Sequence, residues 1–366
     1  MQNDRKPGLD LIRVLSALLV IICHSGVYFS IGFSVNFVSF AGLIAVEFFF
    51  VMSGFLVGKS LIQAATSPSR GSALKQFTVN RLFRILPLYY FALVLTALIS
   101  GKTIPLSCFV FLQNFRANDL GFLAQSWTLS VEAWFYFLVA PLFVLVVWLL
   151  SSKLSEKASV VAAITLLCLT PFTLRILAAN ASAPPQWDEG IRKQVLLRLD
   201  SIGIGVALAA IKKYHTERYI KVFKNPAGLL LSLSGIWVLY QFYCGYLAVD
   251  DHFDSSALCK IFVFSILPLL CSLMIAFMDC TNWLDFLKAF LPLRWLSDLS
   301  YGVYLLHAAV FSLVCVYFVD ARFSVSWLGF LGAIALTNVL SAVTYLLIEK
   351  PMAKLRDKLL RKHIPS

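Results

Sequence analysis

Two residues eleven positions apart in an otherwise apolar run, Arg13 and His24 of LDLIRVLSALLVIICH, are the first in this chain that could do chemistry. On a helix that spacing is three turns plus about 20°, so both side chains share a face about 16 Å apart along the axis. Imidazole titrates near neutral pH and can take a proton from a hydroxyl, whereas guanidinium offers a planar fork of donors to anionic oxygens. Two carboxylates also lie in apolar runs, Glu47 in AGLIAVEFFFVMSGFLVGK and Glu132 in QSWTLSVEAWFYF, and Arg198 and Asp200 open RLDSIGIG. Arg81 and Arg84 of NRLFRILPLYY share an i, i+3 face, with Lys59 ending the run before them; such cations suit phosphates. The plainer alternative for these arginines is snorkelling at the inner end of a helix. His307, in LSYGVYLLHAAVF, falls near the middle of its run and reads as a structural or lining residue. Ser53 and Gly54 read as small residues that let helices approach, and His215, His252 and His363 read as solvated.

The elements that must hold these groups are membrane helices. Hydrophobic residues make up 60% of the 366 and charged residues only 14%, against roughly 25% charged in a soluble domain. Apolar runs of about 20 residues, the length that crosses a hydrocarbon layer, recur ten times, at 9–30, 38–64, 82–100, 127–150, 159–179, 196–211, 227–246, 258–278, 296–319 and 327–349. The expected fold is therefore all-α and integral to a membrane, one bundle of about ten helices. The basic segments SPSRGSALKQFTVNR, KKYHTERYIKVFKNP and KPMAKLRDKLLRK fall on one side, while Asp188, Glu189, Asp250, Asp251, Asp254 and Asp320 fall on the other. Under the positive-inside rule both termini are then cytoplasmic. The same rule accounts for the net charge of +12 without nucleic acid.

No fixed-period repeat or linker divides the chain, so residues 1–366 read as one membrane domain with a basic tail at 350–366, a retained first helix and no separate soluble domain. Segments 101–126 and 180–195 are long enough to cover an outward-opening site, and NWLDFLKAFLPLRW suits an interfacial helix. Pro87 could kink its helix. The eight cysteines lack metal-ligand or redox spacing, although Cys244 and Cys259 could meet at the outer surface. No metal is expected. Counting along the helices places His24, Glu47 and Glu132 at similar depths, roughly 8–10 Å below the outer boundary, with Arg198 and Asp200 at that level or slightly shallower.

In sequence and order, LDLIRVLSALLVIICH, EFFFVMSGFL, RLFRILPLYY, WTLSVEAWFYF, RLDSIGIG and LSYGVYLLH resemble the acyltransferase 3 family over nearly the whole chain. Each motif alone is weak, and the ordered set is specific. The family's Arg-x10-His matches Arg13 and His24, its Arg-x-x-Arg matches Arg81 and Arg84, and its Trp-x-Leu-x-x-Glu-x-x-Phe-Tyr matches Trp127, Leu129, Glu132, Phe135 and Tyr136. The resemblance implies a multi-pass enzyme of the bacterial inner membrane that moves acetyl or another short acyl group from coenzyme A to an extracytoplasmic glycan, such as lipopolysaccharide O-antigen or a polyprenyl-linked sugar. Some relatives carry an added hydrolase-like domain, so a separate extracytoplasmic partner is a further expectation. In this reading His24 is the general base and Glu47 or Glu132 orients it. Arg81, Arg84, Lys59 and Arg13 hold the donor, and Trp127, Tyr136, Arg198 and Asp200 contact the acceptor. The rival reading is a transporter or flippase for a lipid-linked sugar or an organic anion, which would also use buried charges.

Overall fold

In hydrocarbon a backbone must satisfy its own N–H and C=O groups, and a helix does so within one segment. The computed structural model describes residues 6–29, 31–115, 121–249, 252–289, 291–318 and 327–361, and every regular element among them is helical. Asp250, Asp251, Asp320 and His363 lie outside the described residues. Nine of the described helices are long and apolar enough to cross a membrane. They are α1 (Pro7–Tyr28), α2 (Val35–Thr66), α3 (Arg70–Ser100), α4 (Ala124–Leu150) and α5 (Glu156–Ala179), then, beyond two shorter helices α6 (Leu199–Tyr214) and α7 (Thr216–Phe223), α8 (Ala227–Leu247), α9 (Ala257–Cys280), α10 (Leu291–Phe318) and α11 (Trp327–Arg361).

The difference from ten lies at 196–211. That run forms α6, which has 16 residues and is about 24 Å long, short of the roughly 30 Å of a hydrocarbon core. A 3₁₀ turn, Val195–Leu197, leads into it, and α2, α5 and α9 enclose it, so protein rather than lipid covers most of its surface. Elsewhere the helices outrun the apolar segments. The basic stretch before α3 is already helical from Arg70, and α3 continues through Pro87. The basic tail Lys350–Arg361 extends α11 beyond a π-helical turn at Tyr345–Glu349. In NWLDFLKAFLPLRW the structure forms only a 3₁₀ turn, Asp285–Ala289, before α10 begins. All eight cysteines are free, so Cys244 and Cys259 form no disulfide.

The central element is α2, which packs against α1, α3, α4, α6 and α9. Its contact with α6 depends on two glycines. A Cβ built on Gly54 would stand 2.0 Å from the Ile202 carbonyl oxygen, and one on Gly205 would stand 2.1 Å from that of Val51. Neither carbonyl can retreat without moving its helix, so only glycine allows this approach. Gly205→Ala should lower stability by about 1–3 kcal/mol, the usual range for overpacking, read as an earlier thermal unfolding transition of the detergent-solubilised protein; an unchanged transition would show that the two helices part freely.

Candidate active site

The charged residues of the apolar runs separate into pairs. Arg198 and Glu47 are fully buried and hydrogen-bonded to each other, and Ser201 Oγ donates to the second carboxylate oxygen at 2.9 Å. The Arg198 guanidinium also lies over the Phe264 ring, 4.5 Å from its centroid. Beside it Arg175 binds both oxygens of Asp200, at 2.9 and 2.5 Å, and donates to the Leu197 carbonyl and to Ser265. Sequence reasoning overlooked Arg175, although a lone arginine in the run 159–179 was its signal. Glu47 was expected beside His24 and Arg198 and Asp200 beside an acceptor; all three sit instead in these ion pairs between α2, α5, α6 and α9. Glu132 also stands apart from His24. It accepts a hydrogen bond from Ser53 and lines a cavity with Arg13, Arg81, Arg84 and Tyr136.

The partner of His24 is His307. Their Nδ1 and Nε2 atoms are 2.6 Å apart, and the two rings lie within 10° of a common plane. His307 Nδ1 is 2.7 Å from the Tyr304 carbonyl and 3.2 Å from that of Val303. Carbonyl oxygens only accept, so Nδ1 of His307 carries its proton and Nε2 of the neutral ring is the acceptor. His24 must then donate from Nδ1, which leaves its Nε2 with a free lone pair. A backbone carbonyl here fixes the tautomer of a pair of imidazoles, as a carboxylate does in a triad.

Three cavities follow one another along α1. The first, about 680 Å³, lies at the basic end and is lined by Lys6, Arg13, Lys59, Gln63, Lys212 and Asp279, among others. The second, about 110 Å³, is lined by Arg13, Arg81, Arg84, Glu132, Tyr136 and Ser53 together with several apolar side chains. The third, about 90 Å³, holds His24, Gln125, Trp127, Arg192 and Lys193. Arg13 and Leu56 line both the first and the second, and Tyr304 lines both the second and the third. The Tyr304 hydroxyl donates to the Gln125 carbonyl at 2.6 Å and meets Thr128 Oγ1 at 2.6 Å, at the boundary the two cavities share. Lys59 thus stands in a different cavity from Arg81 and Arg84, and Trp127 in a different one from Tyr136.

Two further residues of the third cavity, Arg192 and Lys193, escaped the sequence reading because they lie in a polar connection rather than an apolar run. Both pair with Asp188, at 2.5 and 2.7 Å. Burial pushes the Asp188 carboxyl up, but the two adjacent cations outweigh it and hold the group below its ordinary range. Among the described residues no group of three or more His, Cys, Asp or Glu side chains is placed to hold a metal ion.

A helical bundle with paired internal charges and a polar pathway along its first helix is a multi-pass membrane protein. This chain belongs to the acyltransferase 3 family, whose acyltransferase domain matches residues 6–346. Similar proteins include the peptidoglycan O-acetyltransferase OatA of Listeria monocytogenes serovar 1/2a, 24% identical over 372 residues that span 95% of this chain and 56% of the relative. A putative O-acetyltransferase of Staphylococcus aureus (strain COL) is 26% identical over 95% of this chain and 57% of its own length. A putative peptidoglycan O-acetyltransferase of Bacillus subtilis (strain 168), YrhL, is 25% identical over 94% and 54%. The chain thus spans little more than half the length of these relatives. No solved structure matches it.

Breaking a buried ion pair by removing one partner leaves an uncompensated charge and costs about 3–5 kcal/mol. Glu47→Leu and Arg198→Leu should each lose stability on that scale, and the double variant should lose less than their sum. Strict additivity in thermal unfolding would show that the two groups are not coupled.

Proposed function

We propose that this protein is a membrane O-acetyltransferase that carries a short acyl group, acetyl above all, from cytoplasmic acyl-CoA to a hydroxyl of an extracytoplasmic glycan. The observation that carries this reading is the His24–His307 pair, with a free Nε2 on His24, at the far end of a row of cavities whose near end is cationic. The positive-inside rule sets that cationic end, which Lys6 of the N-terminal segment lines, in the cytoplasm of a bacterial inner membrane. Two of the relatives are named for peptidoglycan, which favours that acceptor over the lipopolysaccharide O-antigen suggested by family resemblance.

A hydroxyl is a weak nucleophile until a base takes its proton as the carbonyl is attacked. His24 Nε2 is that base, and His307 is the group that orients it in place of a carboxylate. The donor's phosphates lie with Lys59 in the first cavity, and Arg13, Arg81 and Arg84 accompany the pantetheine arm through the second. Glu132, which accepts a hydrogen bond from Ser53, supplies a compensating negative charge among those guanidinium groups. The roughly 16 Å between Arg13 and His24 is the distance a long flexible arm is needed to cover. A third cavity of about 90 Å³ leaves space for an acetyl group and the reacting hydroxyl but not for a long acyl chain.

Purified protein in nanodiscs, given radiolabelled acetyl-CoA and a soluble N-acetylglucosamine oligomer, should release coenzyme A and label the sugar; a transporter would leave the thioester intact. His24→Ala should fold normally and lose at least about 10²-fold in kcat, the lower end of what a general base contributes, with His307→Ala showing a smaller loss. Normal turnover by His24→Ala would remove it from the mechanism.

Phosphate and arm contacts are made alike in ground and transition states, so they act on KM. Replacing Arg81 and Arg84 by Gln should raise the KM for acetyl-CoA and spare kcat. An unaltered KM would reassign these arginines to orientation in the bilayer.

A further inference from the structure

Attack on a thioester makes a second demand that a base cannot meet. As the hydroxyl oxygen bonds to the carbonyl carbon, the C=O π pair moves onto the carbonyl oxygen, and that oxyanion needs a preorganised donor. The third cavity contains one. Arg192 lines it together with His24, in a cavity of about 90 Å³. Its Nε is taken by Asp188 at 2.5 Å. Its guanidinium lies against two tryptophans, 5.1 Å from the Trp127 ring centroid and 5.8 Å from that of Trp187. Its two terminal nitrogens make no hydrogen bond among the described residues.

The segment that carries Arg192 is itself fastened to the helices. Asn114, fully buried, donates to the carbonyls of Lys193 at 2.6 Å and of Trp127 at 3.1 Å, tying the connection to the start of α4. The Trp187 backbone N–H donates to Asp254 at 2.6 Å, and the Trp187 ring stacks on Phe253. Lys193 is turned onto Asp188 at 2.7 Å, which leaves Arg192 as the guanidinium with donors to spare. A cation restrained on three sides loses little freedom when charge develops in front of it, and that is the property an oxyanion donor requires.

We propose that Arg192 is a catalytic residue of the transfer, donating from its terminal nitrogens to the oxyanion formed on the acyl carbonyl, with Asp188 and the two tryptophans as its positioning residues. The proposal rests on the acyl-transfer reading above. The step is balanced within the site. The acceptor oxygen bonds to the acyl carbon while His24 Nε2 takes the hydroxyl proton. The oxyanion then collapses, the C–S bond breaks, and the departing sulfur receives that proton from His24. The products are the sugar ester and the free thiol of coenzyme A.

The test uses the whole chain in nanodiscs with radiolabelled acetyl-CoA and the N-acetylglucosamine oligomer. Arg192→Gln should lower kcat by about 10²–10³-fold, as loss of one oxyanion donor does, while the KM for acetyl-CoA stays within twofold of wild type. In Arg192→Ala, added millimolar guanidinium should restore part of the rate, which a purely structural role would not allow. A kcat within threefold of wild type overturns the assignment, and so does an effect confined to the acceptor KM, which would mark Arg192 as a binder of an anionic acceptor. If Arg192→Gln fails to fold, Trp187→Leu carries the test: it loosens the guanidinium without removing it and should lower kcat at least tenfold, an unchanged kcat again overturning the assignment. Failure of the wild-type protein to label the sugar would instead defeat the acyl-transfer reading, independently of Arg192.

Discussion

A charge within a hydrocarbon layer has to find its counter-charge inside the protein, because no water is there to solvate it. In this chain that constraint divides the polar residues into two populations. Glu47 with Arg198 and Asp200 with Arg175 consume each other in closed, buried pairs. They fasten α6, too short to span on its own, to α2 and α5, where the Gly54–Gly205 approach brings the backbones close. Outside those closed pairs stand Arg81 and Arg84 of the second cavity, and Arg192 and the imidazole of His24 in the third.

The pair His24–His307 shows how a low-dielectric site can orient an imidazole without an additional negative charge. A carboxylate beside His24 would itself have to be buried at considerable expense in free energy. A second neutral imidazole, anchored on the backbone carbonyls of Tyr304 and Val303, delivers the same tautomer. Tyr304 then serves twice, since its carbonyl anchors His307 while its hydroxyl, bonded to Gln125 and Thr128, sits where the cavity of His24 meets the arginine-lined cavity.

Much of this was legible in the residues. The spacing of Arg13 and His24 placed one near the cationic cavities and the other in the third cavity, because an α-helix converts residue number into height with little freedom. The small residues at Gly54 and the polar residues worth attention were equally plain. Depth, however, does not give neighbourhood. Glu47, Glu132 and His24 were assigned one level, yet α2 and α4 turn the two carboxylates in other directions, toward Arg198 and Ser53. Arg192 carried no signal, since an arginine in a polar connection has nothing unusual about it until Trp127 and Trp187 are seen on either side.

The sequence by itself determined that this chain is a helical membrane protein, where its helices run and which residues are expensive enough to demand a purpose, because hydrophobic length and helical rise are properties of a single segment. Only the tertiary structure decided which of those residues meet. Pairing depends on the rotation of each helix about its own axis and on which helices are adjacent, and both are set by packing among distant segments, such as the contact of α1 with α10 that joins His24 to His307 across 283 positions of the chain.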